Sequence, residues 1–131
     1  MSMTLAACDG VCFLATTDYE RARAFYEGVL GLTVRSQDEF ALVLQAKNVK
    51  LRIVRLEDVT PAPHTVFGFE VPEVRETLQA LKARGVVFER FAAFGAAQDA
   101  DGVWTPPGGS GGVAWFKDPD GNMLSISRSA G

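Results

Sequence analysis

Few side chains in this sequence of 131 residues have the chemistry of a catalytic or metal-binding group. The only histidine is His64, and the two cysteines, Cys8 and Cys12, lie four residues apart. That spacing is neither the Cys-x-x-Cys of redox sites nor half of a zinc site with a second pair, so we predict two unreactive thiols. The run Asp99-Ala-Asp101-Gly102 begins like a calcium-binding loop. Because the other ligands and the terminal glutamate are missing, we predict a turn there.

A glycine-rich run, residues 106–112, follows shortly after Trp104. Because no Gly-Lys-Ser/Thr follows the glycines, the run is not a phosphate-binding loop. We predict a mobile flap beside a binding site, with Trp104 at its base.

Two residues are weak candidates for acid–base catalysis, His64 and Glu70. Both fall on a predicted strand and on the same face as Val66, since side chains two apart along a strand share a face. They are about 20 Å apart along that strand, too far to share a metal ion. The simpler interpretation places both at solvent-exposed strand ends. The functional interpretation makes either one a general base acting on a carbonyl compound.

The composition favours a single domain, residues 1–131, that folds around its own core, since 47% of the residues are hydrophobic. The net charge is -3, with both signs interspersed, which argues against nucleic acid or a membrane surface as a partner. No apolar run is long enough to span a membrane. The first basic residue is Arg21, so the start does not have the pattern of a signal peptide, and we expect a cytoplasmic protein.

The first half of the chain predicts one helix and four strands. A capping box from Thr17 to Glu20 starts the helix, an apolar stripe follows it, and Gly31 ends it. The strands are predicted at residues 8–16, 32–36, 40–46 and 49–56.

The second half repeats this pattern after a linker, residues 58–63, that contains two prolines. We predict a strand at 64–71, a helix at 73–84, a strand at 86–91, a long loop at 92–112, and a closing hairpin. The hairpin turn is Asp118-Pro-Asp-Gly-Asn122, in which Pro119 presets φ, Asp118 can cap the turn and Gly121 supplies a left-handed residue. Two β-α-β-β-β modules result, at about 8–57 and 64–128.

The closing hairpin also carries a resemblance to a known family. Its residues Trp115 to Ile126 resemble the last hairpin of the vicinal oxygen chelate superfamily, which includes glyoxalase I, extradiol dioxygenases, fosfomycin-modifying enzymes and bleomycin-resistance proteins. The segment from Asp18 to Leu32, with Phe-Tyr ahead of Leu-Gly, resembles the family's usual helix. The resemblance implies an α+β fold in which two βαβββ modules form a half-open curved mixed sheet around a cup, with the helices on the outer face. Because members commonly pair, a homodimer is expected.

The same resemblance indicates where a metal would bind, at four cup-facing strand positions that are here Val11, Arg52, Val66 and Ser125. A divalent ion needs histidine nitrogen or carboxylate oxygen from three or four directions. Valine has no lone pair, a guanidinium repels a cation, and a serine hydroxyl is a weak neutral ligand. We therefore expect no metal and no other cofactor, and no metal-dependent glyoxalase or dioxygenase activity.

The cup is instead expected to bind a small molecule through apolar, aromatic and a few polar residues: Val11, Phe13, Arg52, Val66, Trp104, Trp115, Met123 and Ser125. Because a buried charge without a partner is unfavourable, the Arg52 guanidinium in such a cup needs an anion beside it. That anion could be Glu70 or a carboxylate or phosphate of the ligand, unless the side chain reaches solvent.

Three functions fit this pattern. The first is a metal-free binding protein similar to the bleomycin-resistance branch, which sequesters its drug between two subunits. The cationic drug of that branch suits the acidic composition here but does not suit Arg52. The second is a metal-independent isomerase or lyase acting on a carbonyl compound, and the third is a non-catalytic subunit.

Overall fold

A computed structural model describes residues 3–107 and 111–128. The chain separates into two compact units, Met1–Val59 and Thr60–Gly131. Each unit combines helix with one open sheet, of four strands in the first unit and three in the second, which confirms the α+β class. Of the predicted flap at 106–112, residues 108–110 lie outside the described ones. Within the described residues, no helix is both long enough and apolar enough to cross a membrane.

The first unit contains a short 3₁₀ turn, one helix and four strands. Their bounds are Leu5–Ala7 for the 3₁₀ turn, Gly10–Thr16 (β1), Tyr19–Arg23 (α1, continued as a π-helical turn over Ala24–Val29), Thr33–Gln37 (β2), Leu42–Gln45 (β3) and Val49–Arg55 (β4). The sheet order is β1-β4-β3-β2, with β1 parallel to β4.

Helix α1 begins one residue later than the predicted capping box requires. Its N-cap is Asp18, whose Oδ1 accepts hydrogen bonds from the backbone N–H groups of Glu20 at 2.9 Å and Arg21 at 3.4 Å. The prediction that Thr17 and Glu20 form the cap is therefore wrong. The physical reason is that Asp is as strong an N-cap as Thr, and here it stands directly before the first helical residue.

Alternation along the strands of the first unit separates a buried face from an exposed one. Leu14 of β1 and Leu51 and Ile53 of β4 are buried, whereas Phe13 is 65% exposed and Arg52 is exposed. The helix of the first unit is buried on one side as well, through Tyr19, Ala22 and Tyr26. Val11 and Phe13, which are expected to contact a ligand, thus share the exposed face of this sheet.

The second unit contains one helix and three strands. Their bounds are Thr65–Glu70 (β5), Val74–Ala83 (α2), Gly112–Lys117 (β6) and Met123–Arg128 (β7). The sheet order is β5-β7-β6, with β5 parallel and β6 antiparallel to β7. Buried residues of β6 and β7, among them Phe116, Leu124 and Ile126, form the face that α2 covers.

The predicted strand at 86–91 is wrong. It is reduced to a single antiparallel bridge between Phe88 and Phe116 and one further hydrogen bond, from Glu89 N to Trp115 O at 2.8 Å. After that bond the chain leaves the sheet and forms a short 3₁₀ segment, Ala92–Ala97, within the predicted loop. The β-forming residues of 86–91 therefore pack against β6 without extending the sheet.

The turn between β6 and β7 is the one that the sequence predicts. The Asp118 carboxylate accepts hydrogen bonds from Asp120 N at 2.9 Å, Asn122 N at 2.8 Å and Asn122 Nδ2 at 2.8 Å. Gly121 has φ +88°, and a Cβ there would lie 3.0 Å from Pro61 Cγ, so this position requires glycine on two counts. The turn thereby fixes the register of the hairpin.

We expect Asp118→Ala to lower the free energy of unfolding by about 2–4 kcal/mol, because buried N–H donors lose their acceptor. Urea unfolding followed by far-UV circular dichroism measures the change. The control is Glu39→Ala, an exposed acidic residue between β2 and β3, which should change stability by less than about 0.5 kcal/mol. A similarly small effect at Asp118 would contradict the role assigned to this turn.

Candidate functional site

Four aromatic side chains of the second unit form a continuous cluster, here called the aromatic wall: Phe91, Phe94, Trp104 and Trp115. The rings of Phe94 and Trp115 are stacked, with centroids 5.3 Å apart and an interplanar angle of 18°. Phe91 meets Trp115 nearly at right angles, at 84° and 5.4 Å. Trp104 lies against Phe94 at 5.7 Å. Such offset and edge-to-face contacts are the arrangements that aromatic rings prefer, so the wall is a packed surface.

A cavity of about 380 Å³ opens beside this wall, and we call it the aromatic pocket. Among the described residues that line it there is no carboxylate, lysine or arginine, and their polar side-chain groups are the His64 imidazole, the Thr65 hydroxyl and the Trp115 indole N–H. Its lining residues are Pro63, His64, Thr65, Phe91, Ala93, Phe94, Trp115 and Met123. The cavity can therefore hold an apolar or aromatic group and orient it with one or two hydrogen bonds.

The strand register explains why Trp115 faces this pocket. Trp115 pairs with Ser125, and Ser125 pairs on its other side with Gly68, so the three share one face of the sheet. Ser125 is 8% exposed, and its Oγ lies only 2.6 Å from where a Cβ of Gly68 would be. Glycine at 68 thus leaves the space that the Ser125 side chain occupies. The neighbouring residues Leu124 and Phe116 point to the opposite face, which α2 covers.

The structure brings three of the sequence-predicted residues into the aromatic pocket: His64, Trp115 and Met123. Trp104 belongs to the wall but contacts the pocket through Phe94. Glu70 is at the far end of β5, is exposed, and does not line the pocket.

β5 begins at Thr65 and its register shifts between Thr65 and Phe67, so the alternation expected to place His64 and Val66 on one face does not extend to His64. His64 is exposed, as the simpler interpretation expects. His64 reaches the pocket from the segment that precedes the strand.

Two other predicted ligand contacts, Val66 and Ser125, belong to the second unit but are not among the described residues that line the pocket. Three more, Val11, Phe13 and Arg52, lie on the exposed face of the first unit, where Phe13 and Arg52 are direct neighbours in the β1–β4 register. Backbone N–H groups of Phe40 and Ala41 lower the pKa of Asp38, and the positive charge of Arg52 adds to that effect. An anion within the first unit therefore already acts on Arg52. A pairing of Arg52 with Glu70, and the contacts of these residues with a ligand, stay predictions.

The donor set at the four family metal positions does not fit a divalent cation. Val11 and Val66 carry no ligand atom, Arg52 carries a positive charge, and Ser125 offers one hydroxyl. Across residues 3–107 and 111–128, no three of His, Cys, Asp or Glu are grouped so that they could hold a metal ion. Burial raises the pKa of the Cys12 thiol, although a hydrogen bond from Phe13 partly offsets this, so Cys12 is a weaker thiolate ligand than a free cysteine.

Sequence reasoning missed five described residues of the pocket, of which two are aromatic, Phe91 and Phe94, and the others are Pro63, Thr65 and Ala93. Phe91 was assigned to the end of a strand and Phe94 to a long loop. A signal was nevertheless present in the sequence. Residues 91–97 contain two phenylalanines and otherwise only Ala and Gly, and large apolar side chains grouped in a loop indicate a binding or packing surface.

The chain belongs to the Glyoxalase/Bleomycin resistance protein/Dioxygenase superfamily, whose family model matches residues 10–126. Among solved structures, a glyoxalase family protein from Bacillus anthracis is similar over 98% of this chain and 99% of its own, with 20% identity and a TM-score of 0.73. TnmS3, an antibiotic binding protein from Streptomyces sp. CB03234, is similar over 98% of each chain, with 19% identity and a TM-score of 0.71.

UcmS2 is similar over 94% of this chain and 98% of its own, with 22% identity and a TM-score of 0.69. At these identities the likeness establishes the fold alone. A comparison with curated proteins gave no match.

The predicted turn at Asp99 is confirmed, and its acids are neutralised by cations of α2. Asp99 Oδ1 accepts hydrogen bonds from the N–H groups of Asp101, Gly102 and Val103, at 2.9–3.1 Å. Its Oδ2 accepts one from Arg75, while Asp101 lies 3.7 Å from Lys82. Partial burial alone would raise the pKa of Asp99, but the hydrogen bonds from Arg75 and the backbone outweigh it and lower the pKa.

The lowered pKa of Asp99 predicts a pH-dependent contribution to stability. The contribution is complete above the ordinary aspartate pKa of about 3.9 and is lost as the pH falls through the lower folded-state value. We expect Asp99→Asn to be less stable than the wild type at pH 7, and we expect this difference to shrink below about pH 4. Urea midpoints measured from pH 7 to pH 2.5 test it, with Asp58→Asn in the exposed linker as the control. A difference that does not change with pH would contradict the assignment.

Proposed function

We propose that this chain is a small-molecule binding protein that holds a partly apolar ligand in the aromatic pocket without a metal ion. The observation that carries the proposal is the composition of the pocket walls. Three aromatic rings, Met123, Pro63 and Ala93 line the cavity, and none of its described lining residues is a carboxylate, lysine or arginine.

The size of the cavity supports this function. Ligand pockets in proteins are usually about 300–1,000 Å³ and mostly apolar, with a few polar groups that fix orientation. The aromatic pocket lies within that range, and its lining offers His64 and Thr65 as the orienting groups. An uncharged, ring-containing part of a ligand would bury its surface against Phe94 and Trp115 and stack on them.

The comparisons give further support of a general kind. TnmS3, which has the same fold, is an antibiotic binding protein. A fold of this superfamily can therefore serve as a binding protein, although which molecule binds here is decided by the pocket.

We further propose that the protein is a homodimer in the cytoplasm. An exposed apolar pair on the β1 strand, Val11 at 47% and Phe13 at 65%, supports a pairing surface on the first unit. Light scattering coupled to gel filtration should give twice the chain mass of 14.1 kDa, and a mass of one chain at all concentrations would contradict the dimer.

The probe 1-aminoanthracene, an uncharged and planar fluorophore, tests the binding proposal. We expect it to bind the wild type and Phe94→Ala to weaken the binding about tenfold, because the variant loses one stacking surface, with a loss near 1.4 kcal/mol. Fluorescence titration measures both dissociation constants. A thermal-shift screen of a small-molecule library with the same two proteins then searches for the physiological ligand.

The matched control is Phe40→Ala, which removes a phenylalanine that is 71% exposed in the first unit and should leave the affinity unchanged. Equal probe affinity for the wild type and Phe94→Ala would show that the aromatic pocket is not the binding site.

A further inference from the structure

We propose that Gln98 is the positioning residue of the aromatic pocket, because its buried side-chain amide holds the segment that carries Phe91 and Phe94. The proposal rests on the proposed binding function. It adds a residue that does not line the pocket and that acts through the backbone of those that do.

The amide of Gln98 is buried and its hydrogen bonds are satisfied. The residue is 2% exposed. Its Nε2 donates to Glu89 O and Gly102 O, both at 2.9 Å, and its Oε1 accepts from Phe91 N at 2.8 Å. One side chain therefore hydrogen-bonds to the backbone of Glu89, Phe91 and Gly102, which lie on both sides of residues 92–97.

The backbone around Gln98 is also held by hydrogen bonds and close contacts. Arg90 Nη2 donates to Gln98 O at 2.9 Å, and Gln98 forms a bridge with Trp104. Gly102 has φ +99°, and a Cβ there would lie 3.3 Å from Glu89 O. The chain can approach the amide this closely only with glycine at 102.

The segment that carries Phe91 and Phe94 depends on this amide, because residues 91–97 belong to none of the named strands. Residues Ala92–Ala97 form a short 3₁₀ segment interrupted at Gly95, which has φ 51° and ψ -128°. Within the described residues, the backbone N–H of Phe91 is bonded to the Gln98 side chain, and that of Phe94 returns to Phe91 O at 3.0 Å. Fixing Phe91 thus fixes the start of the segment on which Phe94 stacks against Trp115.

The consequence for binding is preorganisation. A wall that is already ordered loses little conformational entropy when a ligand enters, whereas a loose wall must be ordered at the expense of affinity. The structure therefore assigns to Gln98 an effect on ligand affinity that is separate from its effect on global stability.

The test uses Gln98→Met, which keeps the length of the side chain and removes all three of its hydrogen bonds. We expect the affinity for 1-aminoanthracene to fall at least tenfold and the hydrogen exchange of the Phe91 amide, followed by NMR, to accelerate at least tenfold. The near-ultraviolet circular dichroism of the stacked rings should also weaken.

The control is Leu78→Ala, which truncates a buried residue of α2. It should lower the melting temperature while leaving the probe affinity and the Phe91 exchange within twofold of wild type under native conditions.

Wild-type affinity and Phe91 exchange in Gln98→Met would overturn the proposal, as would equal losses of affinity in Leu78→Ala. If Gln98→Met does not fold, the variant Arg90→Ala provides the test, because Arg90 is exposed and its guanidinium donates to the backbone carbonyl of Gln98. It should weaken probe binding about threefold and accelerate Phe91 exchange, and no change in either would count against the proposal. If the wild type binds no probe, the binding function fails, while Phe91 exchange in Gln98→Met still tests the role of Gln98.

Discussion

The hydrogen bonds that Asp118 accepts inside its own turn fix the register of β6 against β7, and the aromatic pocket depends on that register. Side chains alternate between the two faces of a strand, so a slip of one residue would turn Trp115 toward α2 and bring Phe116 to the pocket face. The short side chain of Ser125 and the bare Gly68 on the same face then leave room beside Trp115. A turn at one end of the hairpin thus determines which rings a ligand can meet.

The ion pairs of the Asp99 loop are formed by residues that are not among the described lining residues of the aromatic pocket. Asp99 and Asp101 are paired with Arg75 and Lys82 at the α2 side of the loop that follows the wall. The pocket itself is lined by rings, aliphatic groups, one imidazole and one hydroxyl. This lining supports the proposed recognition of a ligand by shape, stacking and burial.

Membership in the superfamily does not decide this question, because a fold can carry many functions and the residues of the site determine which one it performs. The four positions at which metal-dependent members would coordinate their ion carry Val11, Arg52, Val66 and Ser125. What the chain offers in place of a ligand set is the aromatic wall, three of whose four members lie outside the named strands.

Local signals in the sequence were sufficient for the closing hairpin and the approximate bounds of both helices. In each of these elements, the turn residues or the spacing of apolar residues predict the same arrangement that the packing of the folded chain requires. Prediction failed where tertiary contacts outweighed local preference. Residues 86–91 have strand-forming side chains but leave the sheet after one bridge, and β5 begins only at Thr65, so His64 precedes the strand that was predicted to contain it.

The pocket was predictable only in part, for the same reason. Trp115 and Met123 follow from the hairpin, whose register can be read from its turn. Phe91 and Phe94 reach the pocket because Gln98 hydrogen-bonds three distant backbone groups, and no periodic pattern encodes such a contact.

The most direct measurement is a two-dimensional NMR titration that follows the indole N–H signals of Trp104 and Trp115, the two tryptophans of the chain, while 1-aminoanthracene is added. If the aromatic pocket is the binding site, the Trp115 signal shifts most, since its ring lines the cavity, and the Trp104 signal shifts less because Phe94 lies between. Saturable binding that leaves both indole signals in place would contradict the account.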